Sequence, residues 1–120
     1  MVLVTNSLTG LVLLIHVYIV LIETVLFKSR GRKVFAIAAD RVEELTPMFS
    51  NQGCYNGFLV AALVLGFVLP NTATAHAFTV FGLCCVAVAG IWGALTVSKR
   101  IVFVQTVPAV LALVAAYLAW

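Results

Sequence analysis

The stretch VLVTNSLTGLVLLIHVYIVLIETVLF, residues 2–27, decides the fold class. It contains a single residue that is charged at neutral pH, Glu23, among apolar and small polar side chains. A helix needs about 20 apolar residues to cross the hydrocarbon core of a bilayer, and this stretch is long enough. It lacks a basic start and a small-residue cleavage site, so it does not fit a cleavable signal peptide. We therefore expect a retained membrane-spanning helix.

Three further apolar stretches, residues 47–69, 75–98 and 101–120, also have the length of a span. The chain is 64% hydrophobic and 9% charged, whereas soluble domains carry about 25% charged residues. In lipid the backbone must pair with itself, and the alternating pattern of a β-barrel is absent. The sequence thus predicts one all-α integral membrane domain over residues 1–120, built as a four-transmembrane-helix bundle.

All seven basic residues fall in two connections between the apolar stretches. They are Lys28, Arg30, Arg32, Lys33, Arg41, Lys99 and Arg100. Cytoplasmic loops are enriched in Lys and Arg, so both connections should be cytoplasmic and both termini outside. The basic residues are few and adjoin the spans. They therefore indicate contact with anionic lipid headgroups and no nucleic-acid partner.

We expect a short amphipathic cytoplasmic segment between the first and second spans, with an apolar run at residues 34–39. Asp40 and Glu43 have the spacing of a capping box, with Asp40 as the N-cap. The second span should then begin at Thr46 and Pro47, with Thr46 as the N-cap and Pro47 in the first turn.

The three cysteines, Cys54, Cys84 and Cys85, have neither metal-ligand nor C-x-x-C spacing. We expect them to be buried as small apolar side chains. No metal and no cofactor is expected.

Two ionisable residues, His16 and Glu23, lie inside the first span. Their seven-residue spacing places them on nearly one helical face, about 10 Å apart along the axis. A charged side chain costs about 2.5–3.5 kcal/mol at the centre of a span, so it usually faces protein and serves a function. Glu23 is therefore the first candidate for a catalytic acid or base or a ligand anchor, and His16 is the second.

Other polar residues lie near the same ends of their spans, at about the depth of Glu23. They are Asn51, Gln52, Tyr55, Asn56 and Gln105. We expect this layer to orient a small ligand, with Arg32 or Lys99 holding an anionic group. The alternative is that the layer only makes the hydrogen bonds that fix one helix arrangement.

Small residues predict close contacts between helices. Gly53 and Gly57 form G-x-x-x-G in the second span, and the third span carries Gly82, Gly90 and Gly93. In the fourth span, Pro108 removes an N–H and predicts a kink beside Gln105.

Several motifs resemble a bacterial family of small integral membrane proteins, catalogued as the domain of unknown function 1304. These motifs are RGRKVF at residues 30–35, NQGCYNGF at 51–58 and GIWGALTVSK at 90–99. HVYI at residues 16–19 with Glu23, and VQTVP at residues 104–108, fit the same pattern. The resemblance covers almost the whole chain and implies four spans in a bacterial inner (plasma) membrane. It implies no activity.

The layout is also similar to that of membrane-associated eicosanoid and glutathione metabolism proteins. Those proteins have four spans, an outside N-terminus and a polar site in the cytoplasmic leaflet, and they form trimers. This likeness implies a homo-oligomer for our chain. It is one of architecture alone, since their arginine-rich motif is not matched: Arg41 precedes the second span, and Cys54 stands where a carboxylate is expected.

The sequence supports three functional hypotheses. The first is a binding site for a small lipophilic or anionic ligand in the cytoplasmic half of the bundle, with enzymatic activity left open. The second is a proton-coupled or small-solute transporter subunit that uses His16 and Glu23. The third is a structural subunit of a larger membrane complex.

Overall fold

The computed structural model describes residues 1–120, and these residues form helices and no strand. The α-helices are α1 (Val2–Glu23), α2 (Arg32–Val34), α3 (Val42–Val68), α4 (Thr72–Thr96) and α5 (Val107–Ala119). Two π-helical segments, Phe27–Gly31 and Val102–Thr106, precede α2 and α5, and a 3-10 turn, Ala39–Arg41, precedes α3. The all-α prediction is confirmed.

Four helical stretches are long and apolar enough to cross a membrane. They are Val2–Glu23, Ala39–Val68, Thr72–Thr96 and Val102–Ala119. Each stretch leaves large apolar side chains on the surface of the chain, such as Leu14 at 68% exposure and Trp92 at 69%. An apolar solvent accepts such a surface, whereas a soluble monomer rarely exposes so large an apolar area.

Two of the three cysteines lie on this outer surface, although all three were expected to be buried. Cys54 and Cys84 are exposed, and Cys85 is half-buried. The prediction of buried cysteines is therefore wrong, because each helix packs only one side against the rest of the protein.

The second long apolar helix begins earlier than the sequence indicated. Helix α3 begins at Val42, and Pro47 lies inside it. Thr46 is not an N-cap, since its hydroxyl donates to the carbonyl of Val42 at 2.7 Å, within the helix. Pro47 removes only one helical hydrogen bond, to the carbonyl of Glu43, and this loss falls close to the helix start. Part of the expected separate amphipathic segment is thus the first turn of α3.

The chain divides into two compact units. Unit 1 comprises residues 1–15 and 59–120, and unit 2 comprises residues 16–58. Unit 1 has an apolar core to which α1, α3, α4 and α5 each contribute. Its buried members are Val12, Leu63, Leu83, Val86, Ala87, Ala109 and Ala112.

Glycines on α4 permit close helix contacts in unit 1, as the sequence predicted. A Cβ atom at Gly82 would lie 2.9 Å from the Leu63 side chain. A Cβ atom at Gly90 would lie 2.8 Å from the backbone nitrogen of Thr106 and would collide with its hydroxyl. This close approach lets the buried Thr106 hydroxyl donate to the carbonyl of Ala87 at 3.0 Å.

The irregularity expected beside Gln105 takes the form of the π-helical segment Val102–Thr106. Pro108 has no N–H to donate to the carbonyl of Val104, four residues earlier. The hydrogen bonds shift by one residue before the proline, and the N–H of Val107 donates to the carbonyl of Val102.

Replacing Gly90 by alanine should lower the free energy of unfolding by about 1–3 kcal/mol, because the added methyl group meets the backbone of Thr106. Unfolding in mixed micelles measures this change. Gly10→Ala is the matched control in the same unit, since nothing lies within 4 Å of its Cβ position. Equal effects of the two substitutions would contradict the packing described for Gly90.

Candidate functional site

After the end of α1 in unit 2, the chain folds back so that Gly31 lies against the backbone of Ile22. After Glu23 the chain forms a turn and then the π-helical segment Phe27–Gly31. A Cβ atom at Gly31 would collide with the carbonyl oxygen of Ile22. The φ of Gly31 is an ordinary −59°, so glycine is required here for space and not for an unusual backbone conformation.

An aromatic cluster attaches this turn to α3. Phe27 is fully buried, and its ring stacks on that of Phe49 with centroids 4.4 Å apart. The ring of Phe35 lies 4.9 Å from the same ring of Phe49. Buried aromatic pairs of this kind add about 0.5–1.5 kcal/mol to the free energy gained from burial. The cluster therefore fixes the turn relative to α3.

Most charged groups around this turn are paired on the surface. Lys28 donates to Glu43 at 2.8 Å, and Arg41 donates to Glu44 at 3.2 Å. Exposed pairs like these contribute only about 0–1 kcal/mol. Arg30 donates to the hydroxyl of Tyr18 at 3.1 Å. Arg32, which is half-buried, forms no ion pair.

Gly53 brings α3 against the end of α1. A Cβ atom at this position would collide with the Thr24 methyl group and would lie 3.2 Å from the Cβ of Glu23. Nothing lies within 4 Å of the Cβ position of Gly57. The G-x-x-x-G pattern thus marks a close contact at Gly53 only, and the prediction of a contact at Gly57 is wrong.

The close approach at Gly53 joins two of the predicted site residues. Asn56, three residues further along the same face of α3, donates from Nδ2 to Oε2 of Glu23 at 2.7 Å. Glu23 is only 8% exposed. The distance lies at the short end of the range of about 2.7–3.2 Å for N–H···O hydrogen bonds.

His16 lies two helical turns before Glu23 on α1 and is fully buried. The two residues share nearly one helical face and are about 10 Å apart along the axis. Both ionisable residues that the sequence singled out are therefore buried in the chain.

Asn51 and Gln52 are exposed and do not bond to Glu23. Together with Met48 and Phe49 they line an open cleft of about 260 Å³ in unit 2. Tyr55 is also exposed, with its ring edge-on to that of Phe58 at 5.9 Å.

The remaining two predicted residues, Lys99 and Gln105, belong to unit 1. Lys99 is exposed. Gln105 is half-buried, with its Cβ 2.9 Å from the Cβ position of Gly90. Their roles in ligand binding stay predictions.

Residues 10–117 of the chain match the model of a family described as "Protein of unknown function (DUF1304)". The chain belongs to the DUF1304 family. The resemblance argued from its motifs is confirmed. No curated protein and no solved structure is significantly similar to the chain.

The motifs that carry the resemblance to DUF1304 also build the site. Residues 30–35 include Gly31, which closes the turn after α1, and residues 51–58 include Gly53 and Asn56. Sequence reasoning missed the role of Gly31 and the stacking of Phe27 on Phe49. A glycine inside a basic segment of helical character was the available signal for Gly31, because glycine is a poor helix former.

Gly53→Ala in this DUF1304 chain should lower the free energy of unfolding by about 1–3 kcal/mol. The new methyl group must displace Thr24 or Glu23, which also lengthens the hydrogen bond from Asn56. Unfolding in mixed micelles measures the loss.

Gly57→Ala, one turn later on α3, is the control. It should leave stability unchanged or raise it by up to about 1 kcal/mol, because alanine is the better helix former. A loss in Gly57→Ala as large as that in Gly53→Ala would contradict the contact assigned to Gly53.

Proposed function

We propose that this chain is a multi-pass membrane protein that binds a small lipophilic molecule at Glu23 and Asn56. The observation that supports this function is the buried carboxylate of Glu23, held by the amide of Asn56 at 2.7 Å. The amide orients the carboxylate and occupies one of its roughly four acceptor positions. The chain fills none of the other positions with a second hydrogen bond to Glu23.

The energetics favour a binding role over a purely structural one. A charged side chain costs about 2.5–3.5 kcal/mol at the centre of a spanning helix, and less toward the end, where Glu23 lies. One hydrogen bond between membrane helices returns about 0.6 kcal/mol on average. Two neutral amides would form a hydrogen bond between the same helices at a lower cost in free energy. A purely structural role therefore does not explain why residue 23 is a glutamate.

The surrounding groups suggest the chemistry of the ligand. Glu23 selects a hydroxyl or an amine that can donate a hydrogen bond. The contact of Gly31 with Ile22 places the backbone of Arg32 at the same end of α1 as Glu23. Arg32 forms no ion pair, so it suits an acidic group on the ligand. We therefore favour an amphipathic ligand with an apolar body.

The distribution of basic residues suggests the orientation of the site. Five of the seven basic residues lie in unit 2, between Lys28 and Arg41. By the positive-inside rule this segment is cytoplasmic, with both termini outside. The site then lies in the cytoplasmic half of a bacterial inner membrane, where amphipathic molecules can enter from the lipid.

A transport function has one observation in its favour, the complete burial of His16 on the same helix as Glu23. A proton path through both residues must bridge about 10 Å along the axis. Direct proton transfer needs heavy atoms about 2.6–3.2 Å apart. We therefore place binding before transport.

The test compares two carboxylate variants of the protein purified in lipid nanodiscs. Glu23→Gln removes the buried charge and keeps the shape, while Glu43→Gln removes an exposed carboxylate from the same unit. Hydrogen bonds to charged groups contribute about 1.5–3 kcal/mol, which corresponds to about a 10- to 100-fold loss of affinity. We expect a small molecule, detected by native mass spectrometry, that co-purifies with the parent and Glu43→Gln and is at least tenfold depleted in Glu23→Gln.

Equal occupancy in Glu23→Gln and Glu43→Gln would overturn the proposed site. So would a parent protein that carries no small molecule and instead co-purifies stoichiometrically with another membrane protein, which is the behaviour of a structural subunit. A thermal unfolding curve for each variant establishes that any depletion occurs in folded protein.

A further inference from the structure

Unit 1 contains a second polar site, separate from the Glu23 site. It is a cleft of about 220 Å³ at the end of the unit where α1 and α4 begin and α3 ends. Its lining includes six side chains that can form hydrogen bonds: Asn6, Thr9, Thr72, His76, Thr79 and Trp120.

Thr9 is the most informative residue in the lining of the cleft. It is 2% exposed and lines the cleft, yet its hydroxyl has no hydrogen-bond partner in the protein. Thr5, one turn earlier on α1, is equally buried at 1%, and its hydroxyl donates to the carbonyl of Met1 at 3.2 Å. Bonding to the preceding turn is the usual solution for a threonine inside a helix. Thr9 does not adopt it, so its buried hydroxyl is left without a partner at the wall of the cleft.

The wall of the cleft between α3 and α4 depends on a glycine. A Cβ atom at Gly66 would collide with the hydroxyl of Thr79. Thr79 is 5% exposed, and both residues line the cleft. The missing side chain thus allows a second threonine to lie between the helices at this point.

An aromatic pair forms another part of the wall. The rings of His76 and Trp120 are stacked, with centroids 3.5 Å apart and planes at 7°. Nearby, Asn71 caps α4 by accepting a hydrogen bond from the N–H of Thr74 at 2.9 Å. His76 thus has an aromatic partner at the cleft.

We propose that this cleft binds a small uncharged molecule that has a ring and a hydroxyl or carbonyl group. No Asp, Glu, Lys or Arg lines the cleft, so a charged ligand would have no counter-ion, and burying an unpaired charge is costly. The hydroxyl of Thr9 can donate to or accept from the polar group, and Phe67 and Trp120 contact the ring. The cleft is smaller than the roughly 300–1,000 Å³ of sites for drug-sized ligands, which limits the ligand to a single small ring system.

The cleft lies at one end of unit 1. Helix α4 begins at the cleft and ends at Thr96, just before Lys99 and Arg100. The cleft and this basic pair therefore lie at opposite ends of unit 1. In the orientation proposed above, the cleft opens on the non-cytoplasmic side.

Phenol is a suitable probe, and toluene is its control, since it has a similar shape and no hydroxyl. Trp120 reports occupancy by its fluorescence in a Trp92→Phe background, because the chain has two tryptophans and Trp92 does not line the cleft. We expect a saturable response to phenol in lipid nanodiscs and a response to toluene at least severalfold weaker.

The Thr9 hydroxyl is tested with three variants in that background. Thr9→Val keeps the shape and should weaken phenol binding by about 2- to 10-fold, the range for one neutral hydrogen bond. Thr9→Ser keeps a hydroxyl and Thr5→Val alters a threonine outside the cleft, so both should bind phenol within about twofold of the background protein.

The proposal is overturned if phenol gives no saturable response, or if toluene binds as tightly as phenol. It is also overturned if Thr9→Val binds like Thr5→Val. The Thr9→Ser variant keeps the test valid even if Thr9→Val fails to fold, since a loss of binding in folded Thr9→Ser equally contradicts the hydroxyl's role.

Discussion

A carboxyl group buried from solvent needs a hydrogen-bond partner within the protein, and the structure of unit 2 is organised around that constraint. Glu23 reaches Asn56 only because Gly53 lets α3 approach the last turn of α1. That approach also depends on the compact turn after α1, which Gly31 closes and the stack of Phe27 on Phe49 holds. Neither feature involves a strong ionic bond. Exposed ion pairs around the turn add little, whereas steric fit and the hydrogen bond from Asn56 to Glu23 set the geometry.

In unit 1 the buried polar side chains are neutral, and one of them is paired by a hydrogen bond to the backbone of a neighbouring helix. The Thr106 hydroxyl donates to the carbonyl of Ala87 where Gly90 brings α4 close to the start of α5. Thr9 differs, because it is buried at a cleft with its hydroxyl unpaired. Buried polar groups are normally hydrogen-bonded, and each exception calls for an explanation. The two units thus present two kinds of polar site, one with a carboxylate and one with uncharged donors and acceptors.

The sequence predicted the four long apolar helices well, because a stretch with the length and composition of a membrane span pairs its backbone as a helix. It also named Glu23 and Asn56, but not their pairing. Asn51, Gln52 and Asn56 share one short stretch, and the rotation of α3 about its axis decides which amide faces α1. That rotation depends on the close contact at Gly53 and on the turn after Glu23. The hydropathy pattern of the sequence shows neither feature. Pro47 suggested a helix start, but the helix runs five residues further back, to Val42. Likewise, Gly53 and Gly57 look equivalent in sequence, and only the structure shows which of them has a neighbour.

The central claim is that Glu23 turns inward to the amide of Asn56, and a double-mutant cycle tests it most directly. The free energies of unfolding of the parent, Glu23→Ala, Asn56→Ala and the double variant are measured in the same mixed micelles. Hydrogen-bonded side chains on membrane helices couple by about 0.6 kcal/mol on average and by up to about 1.7 kcal/mol. We predict a coupling energy in that range or above it. Additive effects, within about 0.3 kcal/mol, would show that the two side chains do not interact and would contradict the account.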